Sequence, residues 1–599
     1  MVSAVGRCAV VCQQREQQGA ENTTLRSPRA QGQGARGVVP YPYCLWSLHQ
    51  EVQQPVAEGG KILVFPVDGS HWVNMEVLLK QLHARGHQIT VFRPTQSWFI
   101  KEIAPHYTSI SVQVPRHEQV GLDLFEKSAQ RILEGRLQGS LMGSVTQVRE
   151  LMSVLQLAHK ATCTVASIIL QDRDLVNRLK AAEYDLMLTD PAMPAGVLLG
   201  HYLRLPMVYN VRWMSFGEGH FSIAPSPISY VPVPGSGLSD HMGLLHRSRN
   251  LFHYLLNSIQ ERWLVVPTYE ALIQRYFPPG TDLLSLQLMA DVWLVRADFV
   301  FEFPRPTMPN LVYMGGFQCR PAKPLPHDLE DFVQGSGPHG VILMSLGTLI
   351  SALPMEVTEV LASAFSQLPQ RVIWRYDGRR PRTLGNNTLL VKWLPQNDLL
   401  GHAKTRAFVA HGGTNGLYEA IYHGVPVLGV PLLFDQMDNL VRLEARGAAK
   451  VLDLATLTTA GFLDALEDIL YNPTYRDNMQ RLSSLHRDRP IHPLDKAVFW
   501  VEYVMRNKGA PHLRTEASGL PWWSYYALDV LGVLLAAPLV LLGCLALLVR
   551  TLRKFLPGQD DTKYYNYRRR YSKEIVRAKL QSIRRERERT KSRKKVPVE

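Results

Sequence analysis

Two series of short apolar runs, each alternating with amphipathic stretches, constrain this chain more than any other feature of its sequence. The first opens after Gly60 with KILVFPV, continues through the helical pattern NMEVLLKQLHARGH and returns to QITVFR. The second runs VILMSL, PMEVTEVLASAFSQL, RVIWRY, LLVKWL, RAFVAH, GLYEAIYHG and VPVLGVP, followed by an amphipathic stretch from Asp435 to Gly447. Continuous apolar runs of this length read as strands buried on both faces, and strands alternating with helices form parallel sheets. Two series about 250 residues apart predict two Rossmann-like α/β domains, with ligands in the cleft outside the carboxyl ends of the strands. Prolines cluster between Phe301 and Pro326 and mark an extended connection, so the domains are drawn at 60–320 and 321–510. Neither series carries GxGxxG or GxxxxGK[ST], which removes the glycines that dinucleotide and P-loop sites need.

The formal charge of +14 raises the question of a nucleic-acid or membrane partner. From Thr551 to Glu599 there are 17 Lys and Arg against 6 Asp and Glu, a net +11, so the body is nearly neutral and carries no nucleic-acid footprint. Just before this tail, Ala527–Val549 is 23 residues long with one charge, Asp529. That length suits a transmembrane helix, with Trp522, Trp523, Tyr525 and Tyr526 on one flank and Arg550, Arg553 and Lys554 on the other. The expectation is an interfacial and spanning segment at 522–550 and a basic cytosolic tail at 551–599. The body then lies on the lumenal or outer side as a single-pass type I protein. Residues 1–59 are polar, without an apolar run long enough for a signal-peptide core. They are read as an atypical extension: either the start is not the natural one, the preferred reading, or the C-terminal helix directs insertion alone. Six cysteines lack CxxC or metal-ligand spacing.

The densest chemical signal is Trp393–Asn439, WLPQNDLLGHAKTRAFVAHGGTNGLYEAIYHGVPVLGVPLLFDQMDN. A buried strand ends at His411, Gly412 and Gly413 make a tight turn, and a helix opens at Thr414-Asn415. Bare N–H groups and the positive end of a helix dipole suit a diphosphate. Glu419, one turn on, can accept two ribose hydroxyls, and Asp435-Gln436 combines acceptor and amide for the hydroxyls of a pyranose.

This stretch resembles the signature of the UDP-glycosyltransferases, and most closely the vertebrate UDP-glucuronosyltransferases. The likeness extends over roughly Lys61 to Leu556. It implies a GT-B fold, two Rossmann-like domains facing a cleft, inverting transfer without a metal or other cofactor, and an acceptor held by the first domain. Carried over by position, Trp393 would stack on uracil and Gln396 would meet the nucleotide. His411, Asn415 and Ser345 would hold the diphosphate, Glu419 the ribose, and Asp435 with Gln436 the sugar. Ala410 departs from the threonine usual before this histidine.

In the first domain, VDGSHW after the first strand sets His71 toward the cleft, and YDLMLTDP sets Asp190 at the end of another strand. A His–Asp pair there makes a general base for an acceptor hydroxyl, the role the resemblance also implies. Asp172-Arg173-Asp174 forms a DxD, the metal-binding pattern of other transferases, but TVASIILQDRDLVNRLK reads as one continuous helix with both carboxylates solvated. Arg296, following the apolar run VWLV, is the candidate cation for a glucuronate carboxylate, with an ordinary salt bridge or a contact to the diphosphate as the other readings. The expected partners are a UDP-sugar, preferably UDP-glucuronate, a small lipophilic acceptor and a membrane. Oligomeric assembly stays open. A hexosyltransferase using another UDP-sugar is the nearest alternative, and a catalytically silent membrane partner of active transferases the more distant one.

Overall fold

The computed structural model describes residues 59–116, 121–212, 224, 226–347, 350, 353–555 and 561–592. The expected N-terminal extension therefore lies outside the described residues, apart from Gly59. Strands β1 (Lys61–Phe65), β2 (Gln88–Pro94), β3 (Thr108–Val112), β4 (Leu186–Thr189), β5 (Met207–Val211), β6 (Val292–Val295) and β7 (Leu311–Tyr313) form one parallel sheet. Its order is β3-β2-β1-β4-β5-β6-β7, reversing direction beside β1. The second sheet contains β8 (Val341–Ser345), β9 (Arg371–Arg375), β10 (Thr388–Val391), β11 (Thr405–Ala410), β12 (Val427–Gly429) and β13 (Ala449–Val451). These are also all parallel, in the order β10-β9-β8-β11-β12-β13. Central strands are apolar and buried along their whole length, as double-sided helical cover requires.

The helices that position the site are α1 (Ser70–Ala84), α2 (Leu122–Leu137), α3 (Leu141–Gln171), α4 (Arg173–Ala181), α5 (Thr414–His423), α6 (Gln436–Glu444) and α7 (Pro493–Arg506). Helices α2 and α3 form a hairpin that spans the cleft. The later part of α3 buries Val165, Ala166, Ile169 and Leu170 in the first domain's core, which accounts for its long apolar run. Meanwhile Ala129, Ile132 and Leu133 of α2 are buried in the core of the second domain. Arg136 fixes this crossing, donating from Nη1 to the Pro431 carbonyl at 2.6 Å and from Nη2 to Asp453 at 2.8 Å.

Three sequence readings change. The DxD segment is not one helix: α3 stops at Gln171, and Asp172 caps α4 by accepting from the Leu175 N–H at 2.9 Å. The proline-rich connection contains β7, because the prolines flank Leu311–Tyr313 rather than interrupt it. The second domain, drawn to residue 510, ends earlier in its packing: α7 crosses back and buries Ala497, Val498, Val501 and Val504 with Ile62, Val64 and Leu186 of the first sheet. At the end of this helix the buried Glu502 accepts from Arg85 Nε at 2.7 Å and meets His87 Nε2 at 3.2 Å. The Gly60 N–H donates to His87 Nδ1, so His87 uses Nε2–H as its donor to Glu502.

Beyond the body, Leu528–Phe555 is a 28-residue helix, α8, with none of its residues buried and long and apolar enough to cross a membrane. A second exposed helix, α9 (Asp561–Ser592), carries most of the basic tail.

Candidate active site

The site grows from two neighbouring strand ends. β1 and β4 pair in register from Ile62↔Leu186 to Phe65↔Thr189, so the loops that leave them start side by side. After β1 the chain turns at Gly69, whose φ of 78° and ψ of −142° are open to glycine alone, and enters α1 with His71 in its first turn. Asp68 secures the turn by accepting from the Trp98 and Phe99 N–H groups at 2.7 and 3.1 Å. Asp190 follows β4 directly, held by the Ala192 N–H at 3.0 Å.

His71 Nδ1 and Asp190 Oδ2 lie 2.6 Å apart, both buried. Burial alone would raise the Asp190 pKa, but His71, through its charge when protonated and through its hydrogen bond, outweighs it and holds the carboxyl below its ordinary value. His71 is also lowered, by burial first, with Asp190 opposing and the Arg212 and Arg296 charges assisting. The resting pair is thus a carboxylate and a neutral imidazole. An ionised carboxylate can only accept, so Nδ1 carries the hydrogen and Nε2 is the basic nitrogen of the ring.

His71 borders a cavity of about 360 Å³ whose walls are mainly apolar, including Trp98, Phe125, Leu157, Ala161 and Phe434. A second cavity, of about 450 Å³, holds the groups expected to bind the donor: Ser345, Trp393, Gln396, His411, Gly413, Asn415 and Glu419. Ser70, Arg212 and His411 line both cavities, so the two meet beside His71.

Within the second cavity, Trp393 is 70% exposed with the Arg375 guanidinium 5.6 Å from its ring, leaving aromatic surface open to a planar base. Gln396 Nε2 donates to Glu419 Oε2 at 2.7 Å. Burial pushes Glu419 up to about 7 against this hydrogen bond. His411 is driven down to about 4 by burial and is neutral at rest. Gly412 has a φ of 97°, and a side chain there would strike the Gln436 carbonyl at 2.6 Å, so the turn into α5 admits only glycine. No side chain caps α5, which leaves its first N–H groups for a ligand. Asn415 accepts a hydrogen bond from Asn74 of α1 across the cleft, joining the helix that carries His71 to the helix that borders the second cavity. Ala410, at the end of β11, lines the same cavity with no hydroxyl to offer.

Asp435 and Gln436 line the first cavity, near the shared wall. Asp435 Oδ2 accepts from Asn439 at 2.7 Å. Gln436 Oε1 is engaged by the Leu432 and Leu433 N–H groups at 2.7 and 2.9 Å, so only its amide N–H groups remain for a sugar. Arg296 follows β6 as its strand-end position predicts, but it is 4% exposed and lines neither cavity. Among the described residues its guanidinium nitrogens have no hydrogen-bond partner, and burial together with the neighbouring Arg212 charge brings it down to about 9.

Sequence reasoning missed Arg212, the residue after β5, which donates to Ser70 and feels both Asp435 and Asp190. Its signal was available: like Asp190 and Arg296, it follows directly on the end of an apolar strand. Arg320 and Arg375 of the donor cavity were also missed, because nothing in their local sequence sets them apart. Asp172 and Asp174 are exposed and line neither cavity. Among the described residues no group of three His, Cys, Asp or Glu is arranged to hold a metal ion.

Comparison with known proteins identifies the family. The profile of the family described as "UDP-glucoronosyl and UDP-glucosyl transferase" matches residues 60–558. UDP-glucuronosyltransferase 2C1 of Oryctolagus cuniculus is 43% identical over 477 residues, 78% of this chain and 93% of the relative. UDP-glucuronosyltransferase 1A6 of Homo sapiens is 42% identical over 484 residues, covering 80% and 89%. The solved structure of Phytolacca americana UGT2, complexed with UDP-2fluoro-glucose and pterostilbene, shares the two-sheet fold. Its TM-score is 0.51 at 15% identity, over 75% of this chain and 99% of that one. With the family profile spanning most of its length and relatives above 40% identity, this chain belongs to the UDP-glucuronosyl and UDP-glucosyl transferase family.

Proposed function

We propose that this chain is a metal-independent, inverting glucuronosyltransferase that moves glucuronic acid from UDP-glucuronate to a hydroxyl of a small lipophilic acceptor. The observation that carries this reading is the shared wall of the two cavities: an apolar chamber with a buried base opens beside a chamber lined by nucleotide-binding groups. The acceptor oxygen attacks the anomeric carbon as the bond to the diphosphate breaks, and its proton passes to His71 Nε2. Asp190 stabilises the imidazolium, and the N–H groups opening α5 support the departing UDP. Attack opposite the leaving group inverts the anomeric centre.

For the donor sugar, the similarity to glucuronosyltransferases is joined by a buried cationic pair. Among the described residues Arg296 has no hydrogen-bond partner for its guanidinium, and Arg212 lies close enough for their charges to interact. An anion is the natural complement of such a pair. UDP-glucose is the second reading, since Asp435 and Gln436 can address hydroxyls common to both sugars. The His71–Asp190 pair argues against a silent partner, which would have no use for a buried base. The anchor α8 and its basic sequel support a body in the lumen of the endoplasmic reticulum and a cytosolic tail.

Because transfer needs neutral imidazole and His71 is held below the ordinary 6.5, kcat/KM on an alcohol should stay level as pH falls toward about 6.5 and decline only below it. His71→Ala should lower turnover by about 10²–10⁴-fold without weakening UDP binding. A mutant with near wild-type turnover would remove the base. Arg296→Ala, which removes a buried charge beside Arg212 and not a group of the cavity wall, should reduce use of UDP-glucuronate several-fold while largely sparing UDP-glucose. Equal loss with both donors would assign Arg296 to the phosphates instead. Activity should survive excess chelator, whereas loss restored by manganese or magnesium would mean that a metal holds the diphosphate. Protease outside sealed microsomes should remove only about 6 kDa from the C-terminus; digestion of the whole chain would contradict a lumenal body.

A further inference from the structure

Five non-glycine residues have a positive φ among the described residues: Glu183, Arg204, Phe434, Lys508 and Ala527. Four are exposed turn or helix-end residues. Phe434, at a φ of 55°, is the one that lines a cavity. The left-handed region is uncommon for a bulky side chain and open to glycine without strain, so an aromatic residue there must be held by its surroundings.

Two sets of contacts hold it. The backbone before Phe434 is secured from both sides, since Arg136 of α2 takes the Pro431 carbonyl and Gln436 Oε1 takes the Leu432 and Leu433 N–H groups. The ring stacks on Phe125 of α2, with centroids 6.2 Å apart and planes at 24°. Phe125 in turn leans on Trp98 at 5.9 Å and 57°. All three rings line the acceptor cavity and all are only partly buried. Phe434 thus comes from the donor domain, one residue before Asp435, yet stands in a row of aromatic rings begun by the acceptor domain.

We propose that Phe434 is an acceptor-selecting residue contributed by the donor domain. With Phe125 and Trp98 it forms an aromatic wall that favours flat aromatic alcohols over saturated ones of equal size. The proposal rests on the transferase reading above for the identity of this cavity as the acceptor site. Flat rings gain from offset or edge contact with an aromatic wall, while saturated rings of the same outline gain only from burial. The loop geometry keeps the wall beside the sugar, because Phe434 moves with Asp435 and Gln436.

The test uses the full chain in detergent or microsomes with UDP-glucuronate, 1-naphthol as the flat acceptor and its perhydro analogue 1-decalol as the saturated one. Phe434→Gly removes the ring and relieves the left-handed backbone, and Phe125→Leu removes its stacking partner without altering that loop. Both should raise KM for 1-naphthol by about 2- to 12-fold, the value of an aromatic pair, and raise it for 1-decalol by clearly less. KM for UDP-glucuronate should stay near wild type, and Phe434→Gly should not lower the unfolding temperature. Equal losses on both acceptors, or a loss that falls on the donor KM, would overturn the proposal and make Phe434 a support for Asp435. Should the wild type transfer to neither acceptor, the transferase reading fails, and equilibrium binding of 1-naphthol decides the wall on its own. Weaker binding by Phe434→Gly would sustain the proposal and equal binding would overturn it.

Discussion

The hydrogen bond between His71 and Asp190 is the contact around which the rest of this structure is organised. A carboxylate buried this deeply would protonate unless a partner compensated it, and an imidazole buried this deeply loses affinity for its own proton. Each group corrects the other: His71 keeps Asp190 ionised, and Asp190 sets which imidazole nitrogen is left as the base. Register makes the pair possible. β1 and β4 are adjacent and parallel, and Thr189 Oγ1 donates to the Phe65 carbonyl at 2.8 Å where the strands end, so two loops distant in sequence begin as neighbours.

A base in one domain is useful only if the other domain presents the donor beside it. Several independent ties set that distance. Asn74 joins α1 to the start of α5, Arg136 and the apolar face of α2 bind the acceptor hairpin to the donor domain, and Asp438 accepts from the Gly235 and Gly237 N–H groups. Helix α7 closes the circuit by returning to the first sheet, where Glu502 engages Arg85 and His87. Together they bring the apolar cavity and the second cavity, where the donor is proposed to bind, to a common wall at Ser70, Arg212 and His411.

Much of this was legible in the sequence because the underlying signals are local. Buried parallel strands are continuous apolar runs, so β1, β2, β4, β8 and β11 appear as KILVF, QITVFRP, LMLT, VILMS and TRAFVA, and residues that follow such runs reach the cleft. That rule found His71 and Asp190, and applied once more after MVYNV it would have found Arg212. It also found Arg296, but strand-end position does not report depth, and Arg296 lies behind the surface of both cavities. Non-local features were hidden. The return of α7 and the docking of α2 on the donor domain depend on which faces meet, and periodicity says only that a face is apolar. The break at Asp172 escaped because a capping aspartate and a mid-helix aspartate look alike in composition; the difference lies in a bond to the Leu175 N–H.

The central claim is that Asp190 acts only through His71, and a double-mutant cycle on turnover addresses it most directly. Turnover would be compared for the wild type, His71→Ala, Asp190→Asn and the double mutant, at saturating UDP-glucuronate and acceptor. Strong non-additivity is expected, with the double mutant no slower than His71→Ala alone, because a carboxylate that serves one imidazole has nothing left to do once that imidazole is gone. Losses that multiply, so that Asp190→Asn costs as much without His71 as with it, would contradict the account.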